Sequence, residues 1–229
     1  MNLTLGNTRL IVDSCLKHGL FRNQAAYVLA TAYHETAHTM VPVREYGGET
    51  YLKSKSYYPY VGMGFVQLTW LYNYQRATKE LGIDFVSDPK KLLIPAYSAE
   101  IIVLGMSEGW FTGKKLSDYM TLAASDFSNA RKIVNPKDYK TFGLIAGYAT
   151  QYDALLKTDG YGETPPVAPP IVTPAAPAPI QPPVTSPVAT APAAAPVQSS
   201  APAVPASSSV VSSFLSLISS LLRGPNHDD

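Results

Sequence analysis

The segment His34-Glu35-Thr36-Ala37-His38 carries the most suggestive spacing of chemically active side chains in this sequence. If the whole segment were helical, the two histidines would lie on one face and could hold zinc, with the glutamate as the general base of a metalloprotease. The same glutamate could instead donate a proton to a glycosidic oxygen, a reaction that needs no metal. The five residues alone leave both chemistries open.

The residues that follow argue against zinc. A zinc site of this type needs a helix that continues past His38 and a third protein ligand further along the chain. Pro42 and the pair Gly47-Gly48 predict that any helix ends soon after His38. Glu45 and Glu49 are the only nearby carboxylates that could complete the site, and both lie in this irregular stretch. We therefore expect neither a metal nor another cofactor.

Glycosidic hydrolysis with inversion needs two carboxyl groups. One protonates the leaving oxygen and the other activates a water, and the two stand roughly 6.5–9.5 Å apart. A proton donor gains from burial, because burial favours the neutral carboxyl group. Glu35, near the end of a predicted apolar helix, fits that role. Glu45, beside Arg44 in a polar loop, is predicted to be the more exposed base, with Glu49 as the alternative.

A longer motif makes the comparison specific. The pattern Tyr60-x-Gly62-x-Gly64-x-x-Gln67-Leu68-Thr69-Trp70-x-x-Asn73-Tyr74 follows His34-Glu35-Thr36. Together the two segments resemble the signature of glycoside hydrolase family 19, which contains plant-type chitinases and many phage endolysins. Gly109-Trp110-Phe111-Thr112-Gly113 and Arg131-x-Ile133-Val134-Asn135 extend the resemblance, which covers residues 5 to 157.

The resemblance implies a mainly α, lysozyme-like fold of the family 19 chitinase type, with Glu35 as general acid. It implies that Thr69 helps to hold the attacking water. The second carboxylate is the least fixed position in the family, and Glu45 is our choice. Met63 stands where the family commonly has arginine, which predicts weaker or pH-shifted activity. The residues that match substrate-binding positions of the family are His34, Gln67, Thr69, Asn73, Arg131 and Asn135.

The predicted substrate is the glycan strand of bacterial peptidoglycan, cut at the β-1,4 bond between N-acetylmuramic acid and N-acetylglucosamine; chitin is the alternative. The single cysteine, Cys15, excludes an internal disulfide. No signal peptide is recognisable at the N-terminus. These features, with the small domain, favour a phage-type endolysin that is held in the host cytoplasm before release or carried in the virion. A non-catalytic wall-binding or virion protein is the alternative of another class, suggested only by Met63.

The predicted elements that position these side chains are mainly helices. Asn23 is the expected N-cap of the helix that carries Glu35. Residues 41 to 62 are expected to be irregular. The other predicted helical or turn-and-helix segments are 7–19, 65–81, 96–105, 116–120, 126–133 and 140–157.

The C-terminal part of the chain has a different composition. Fourteen of the 20 prolines lie between residues 165 and 205, and no charged residue occurs from 164 to 222. This composition predicts a disordered linker over 161–208 after a catalytic domain over 1–160. Residues 209–223 have the spacing of one amphipathic helix. Its polar face is serine rather than lysine or arginine, which favours a protein partner over a membrane surface. The net charge of +1 gives no reason to expect nucleic acid.

The two interpretations of the opening segment differ in a direct test. A zinc enzyme should lose activity in excess EDTA and regain it with zinc, because both histidines would hold the metal. We expect full glycan cleavage in EDTA and a small effect of His38→Ala, measured by clearance of a purified cell-wall suspension. Loss of cleavage in EDTA that zinc restores would contradict the glycosidase interpretation.

Overall fold

The computed structural model describes residues 1–162, so the predicted linker and C-terminal helix lie outside the described residues. This part of the chain is mainly helical, as the sequence predicts. Its α-helices are α1 Thr8–Lys17, α2 Arg22–Glu35, α3 Gly48–Lys53, α4 Leu71–Leu81, α5 Pro95–Glu108 and α6 Phe142–Thr158. Its 3₁₀ helices are Pro89–Leu93, Leu116–Asp118, Asn129–Ile133 and Tyr139–Thr141.

One small antiparallel sheet joins the two loops that carry the family-like motifs. Strand β1 is Val43–Arg44 and strand β2 is Met63–Gly64, with Val43 opposite Gly64 and Arg44 opposite Met63. The pairing is short, yet it fixes the register between the segment that follows α2 and the glycine-rich segment that precedes α4. Residues far apart in the sequence are therefore brought together beside the C-terminal end of α2.

Helix α2 forms the centre of the core. Residues 25 to 30 are fully buried, and the helix packs along α6 and also contacts α1 and α5. Alanines at positions 25, 26, 30 and 32 keep the helix narrow, so its neighbours approach closely on several sides. A helix buried in this way is hydrophobic around most of its circumference. Its last residue, Glu35, is therefore held on a rigid support.

The start of α2 differs from the prediction. The helix begins at Arg22, with Phe21 as the residue before it. The side chain of Gln24 accepts the Phe21 N–H at 3.1 Å, which satisfies one of the free donors at the helix end. Asn23 instead donates through Nδ2 to the Thr121 carbonyl at 2.8 Å. The prediction of Asn23 as N-cap was wrong because Asn23 lies in the first turn of α2 and its side chain links the helix to the turn at residues 121–125.

The stretch predicted to be irregular, residues 41 to 62, contains helix α3 as well as strand β1. Tyrosines and glycines dominate the sequence there, and neither type signals a helix of only six residues. The predicted helices at 116–120 and 126–133 are present as shorter 3₁₀ segments. None of the helices within residues 1–162 is long and apolar enough to cross a membrane.

The end of the described chain is tied to the beginning. The Tyr161 hydroxyl donates to the Leu20 carbonyl at 3.0 Å, and burial raises the pKa of this tyrosine. Arg9 forms two hydrogen bonds with the carboxylate of Asp159. Tyr161 therefore belongs to the packed structure, although it lies one residue beyond the predicted domain boundary.

A chain truncated after Gly162 should retain the fold, because the helical core described above lies within its residues. We expect one cooperative thermal transition within a few degrees of that of the full chain, measured by circular dichroism. Truncation after Gly160 should melt at a lower temperature, since it removes a hydrogen bond worth about 1 kcal/mol and the ring contacts of Tyr161. Loss of the cooperative transition in the longer truncation would show that residues 163–229 support the core.

Candidate active site

A buried ion pair connects the predicted acid to a distant part of the chain. Nη1 of Arg131 donates to Oε1 of Glu35 at 2.7 Å, and the exposed fractions of the two side chains are 1% and 5%. Nη2 of the same arginine reaches Oδ2 of Asp138 at 3.3 Å. Burial alone would lower the pKa of Arg131, but the charge and hydrogen bond of Glu35 outweigh it and raise the pKa. The guanidinium therefore stays charged between two carboxylates.

Asp138 is itself held in place. Its Oδ2 accepts the hydroxyl of Thr141 at 2.6 Å, and Thr141 also donates to the Asp138 carbonyl. Residues 131 to 141 thus close around the arginine that binds Glu35. The family-like motif that contains Arg131 does not include Asp138. The sequence shows only that this aspartate lies seven residues after Arg131, which is close enough for the chain to fold back onto it.

The backbone after Glu35 turns sharply. Ala37, His38 and Met40 have φ values of 50°, 68° and 54°, in the left-handed region that residues with a Cβ rarely occupy. The Thr36 hydroxyl stabilises the turn by donating to the Ala32 carbonyl at 2.7 Å and accepting the Met40 N–H at 3.0 Å. This turn leads the chain from Glu35 at the end of α2 to strand β1 and Glu45.

The same turn separates the two histidines of the opening segment. Helix α2 ends at Glu35, so His38 is not on the helical face that carries His34. His38 stacks on Tyr33 with ring centroids 4.4 Å apart, and the Tyr148 hydroxyl lies 3.2 Å from its Nε2. His34 precedes Glu35 in the sequence, and burial is the main cause that lowers the pKa of its imidazole. The helical geometry that a zinc site of this type requires is therefore not formed by this pair.

Glu45 is more deeply buried than the sequence predicts. Its exposed fraction is 3%, and each carboxylate oxygen has its own donor. The Tyr57 hydroxyl donates to Oε1 at 2.7 Å, and the Gly62 N–H donates to Oε2 at 3.0 Å. The prediction that Glu45 is exposed was wrong, because the pairing of β1 with β2 carries its side chain inward. Its role as the base stays a prediction.

Arg44 pairs with Glu49 instead. Its Nη2 lies 2.7 Å from Oε1 of Glu49. The side chain of Glu49, in the first turn of α3, is 57% exposed. The two candidates for the base thus occupy opposite environments: Glu45 is buried and hydrogen-bonded by neutral donors, whereas Glu49 is solvated and paired with a cation.

The predicted binding residues after β2 form a compact turn around Gly62. A Cβ on Gly62 would lie 2.9 Å from Oε1 of Gln67 and 3.4 Å from Oγ1 of Thr69. The absence of a Cβ therefore lets these two side chains lie close to the Gly62 backbone. Gln67 has a φ of 53° and donates to the Val43 carbonyl at 2.8 Å. The structure therefore brings together Gln67 and Thr69 with the backbone amide that binds Glu45.

Hydrogen bonds fix this turn to its surroundings. Thr69 donates to the Gln67 carbonyl and Asn73 donates to the Thr69 carbonyl, each at 2.8 Å. The Phe65 N–H donates to Oγ of Ser98 at 2.7 Å, which attaches the turn to α5. In this structure the side chains of these residues bind main-chain atoms, and their contact with a sugar stays a prediction.

Two other predicted residues have different positions. Asn135 is buried, with an exposed fraction of 4%, and its Nδ2 donates to no atom of residues 1–162. A buried amide donor without a partner is energetically costly, and the contact of Asn135 with a sugar stays a prediction. Met63, by contrast, lies in the hydrophobic core at 5% exposure. The predicted effect of Met63 on activity is not tested by this arrangement.

The contact of Tyr57 with Glu45 is the feature of this site that the sequence does not predict. Its ring is 4% exposed and packs edge-on against Trp70, with centroids 5.4 Å apart. Trp70 in turn stacks on Tyr72, which is 55% exposed. The sequence shows five tyrosines between residues 46 and 60, and composition alone cannot distinguish the one that reaches Glu45.

The known proteins that are similar to this chain include two chitinases, one by sequence and one by structure. No protein-family profile matches the chain. Its sequence is similar to that of an acidic endochitinase from Dioscorea japonica, with 30% identity over 156 residues. The aligned region covers 62% of this chain and 60% of the endochitinase, so the chain spans less than two thirds of that relative. A solved structure of a chitinase C mutant has a TM-score of 0.48 and 17% identity, covering 65% of this chain and 83% of the other.

Removing the arginine should destabilise the domain. Arg131→Met would leave the buried Glu35 without its partner, which typically costs about 3–5 kcal/mol. The double variant Glu35→Gln with Arg131→Met should regain a substantial part of this loss, because the buried charge of Glu35 is removed as well and only Asp138, which keeps its hydrogen bond from Thr141, lacks its cation. Urea unfolding of the two variants and the wild type measures both effects. Equal stability of Arg131→Met and the wild type would contradict the assignment of a buried ion pair.

Proposed function

We propose that the chain hydrolyses glycan strands built from β-1,4-linked N-acetylated amino sugars, with Glu35 as the acid and Glu45 as the base. The observation that carries the proposal is the fixation of two buried carboxylates, one by Arg131 and the other by Tyr57 and Gly62. Similarity to an acidic endochitinase supports the same class of reaction. In that reaction two carboxyl groups with different environments divide the work of acid and base.

Unusual backbone conformations occur in the same two segments as the proposed acid and the Gly62 turn. Residues other than glycine with positive φ within residues 1–162 are Ala37, His38, Met40, Gln67 and Trp70. Each such residue costs of the order of 1–3 kcal/mol, and such strain collects at functional sites. All five lie in the two segments that carry the family-like motifs, one following Glu35 and the other following the Gly62 turn.

The chemistry is a single displacement. A water attacks the anomeric carbon while Glu45 takes one of its protons, and the bond to the leaving oxygen breaks as Glu35 donates a proton to that oxygen. Arg131 lies 2.7 Å from Oε1 of Glu35 and fixes the position of the carboxyl group that donates the proton. Thr69 is the proposed contact for the attacking water.

Peptidoglycan is the substrate we favour, in the manner of a phage endolysin acting from the host cytoplasm or the virion. The small domain and the single cysteine support this choice, and chitin is the alternative that the endochitinase relative favours. We propose that residues 1–160 catalyse the reaction and that residues 209–223 bind a protein partner. A non-catalytic wall-binding protein would have no need for two buried carboxylates with dedicated donors.

The proposal predicts unequal effects of three isosteric changes. Glu35→Gln and Glu45→Gln should each reduce glycan cleavage by at least about 100-fold, because proton transfer contributes that much or more. Glu49→Gln is the matched control and should stay within a few-fold of the wild type. Zymography and release of reducing ends from purified sacculi and from chitin oligomers measure the effects and identify the substrate.

Two outcomes would contradict the assignment. A wild type that cuts neither substrate would remove the enzymatic proposal. A large loss in Glu49→Gln, with Glu45→Gln fully active, would move the base to Glu49. Rescue of Glu45→Ala by azide or formate would add support, since a small anion can replace a base that acts through water.

A further inference from the structure

The base has one neighbour that the family-like motifs do not explain. Tyr57 reaches Oε1 of Glu45 through its hydroxyl at 2.7 Å, and the only other donor on this carboxylate within residues 1–162 is the Gly62 N–H on Oε2. The backbone donor is fixed by the turn. The hydroxyl is therefore the one side-chain contact that determines how the Glu45 carboxylate is oriented.

We propose that Tyr57 is a positioning residue for the base, holding the Glu45 carboxylate aligned for the attacking water. This inference rests on the proposed function, in which Glu45 takes the proton. A carboxylate oxygen can accept more than one hydrogen bond, so the two protein donors leave room for a water on the same group.

The surroundings of Tyr57 make the contact durable. Its ring is held edge-on by Trp70, whose backbone N–H donates to the Tyr60 carbonyl at 2.9 Å. Burial raises the pKa of the Tyr57 hydroxyl, with further contributions from its hydrogen bond to Glu45 and from the charge of that carboxylate. The hydroxyl therefore stays protonated and remains a donor to Glu45.

A second tyrosine provides a matched control. Tyr74 is fully buried, and its hydroxyl donates to the Val61 carbonyl, one residue before Gly62. Tyr57→Phe and Tyr74→Phe each remove one buried hydroxyl from the same turn and keep the ring. Only the first removes a donor from the Glu45 carboxylate. A purely structural role would therefore affect both variants in the same way.

The test uses the full chain and purified peptidoglycan, with kcat and KM measured at one pH. For Tyr57→Phe we expect kcat to fall about 10-fold with little change in KM, because the Glu45 carboxylate loses the side-chain contact that orients it. Tyr74→Phe should change kcat by no more than a few-fold. In a background of Glu45→Gln, adding Tyr57→Phe should cause no further loss, because the two residues act as one unit.

A readout independent of turnover separates this inference from the proposed function. In protein labelled with ¹³C at the glutamate carboxyl groups, the chemical shift of the Glu45 signal at constant pH should change in Tyr57→Phe and stay near the wild-type value in Tyr74→Phe, because only the first variant removes a donor from this carboxylate. An unchanged Glu45 signal in Tyr57→Phe, or additive losses in the double variant, would overturn the positioning role even if the wild type cleaves glycan. Full activity of Glu45→Gln would overturn the base assignment, and the positioning role with it.

Discussion

The ion pair between Glu35 and Arg131 is the interaction on which the site depends. A carboxylate at the end of a helix as buried as α2 cannot remain without a partner, because an uncompensated buried charge is strongly destabilising. The partner comes from a segment 96 residues away in the chain. Asp138 and Thr141 then fold around the same guanidinium, so one electrostatic requirement organises both the end of α2 and residues 131 to 141.

The second carboxylate is stabilised in a different way. Glu45 is buried without a cation, and neutral donors from Tyr57 and Gly62 take the place of water. This arrangement needs a turn whose backbone N–H points at the carboxylate, and the Gly62 N–H donates to Oε2 of Glu45 at 3.0 Å. The left-handed residues on either side are a consequence of fitting two such turns beside one helix end. The surrounding core and the hydrogen bonds of Thr36, Ser98 and Gln67 offset their strain.

The sequence predicts the helical framework well and the environment of the site less well. Long apolar periodic segments, such as those that become α1, α5 and α6, appear with ends shifted by a few residues. The first motif correctly places Glu35 at a buried helix end, since the length of the apolar segment determines that position. The roles assigned to the site residues toward substrate stay predictions.

The errors have a common physical cause. Asn23, Glu45 and Tyr57 are polar residues whose partners lie in other segments, and local pattern cannot show which partner a polar side chain finds. Glu45 was expected in solvent because the residues around it are polar, but a two-residue strand pairing turned its side chain inward. The 3₁₀ helix Pro89–Leu93 and the six-residue α3 were not predicted for a related reason: the stability of such short helices comes from tertiary contacts rather than from propensity.

The central claim is that two carboxyl groups act in a single displacement on a glycan. The most direct measurement is the anomeric configuration of the first product, followed by proton nuclear magnetic resonance within the first turnovers, before mutarotation. A β-linked substrate cut by this mechanism should release product with the α configuration at the new reducing end. Initial release of the β-anomer would contradict the account, because it requires retention through a covalent intermediate or another catalytic group.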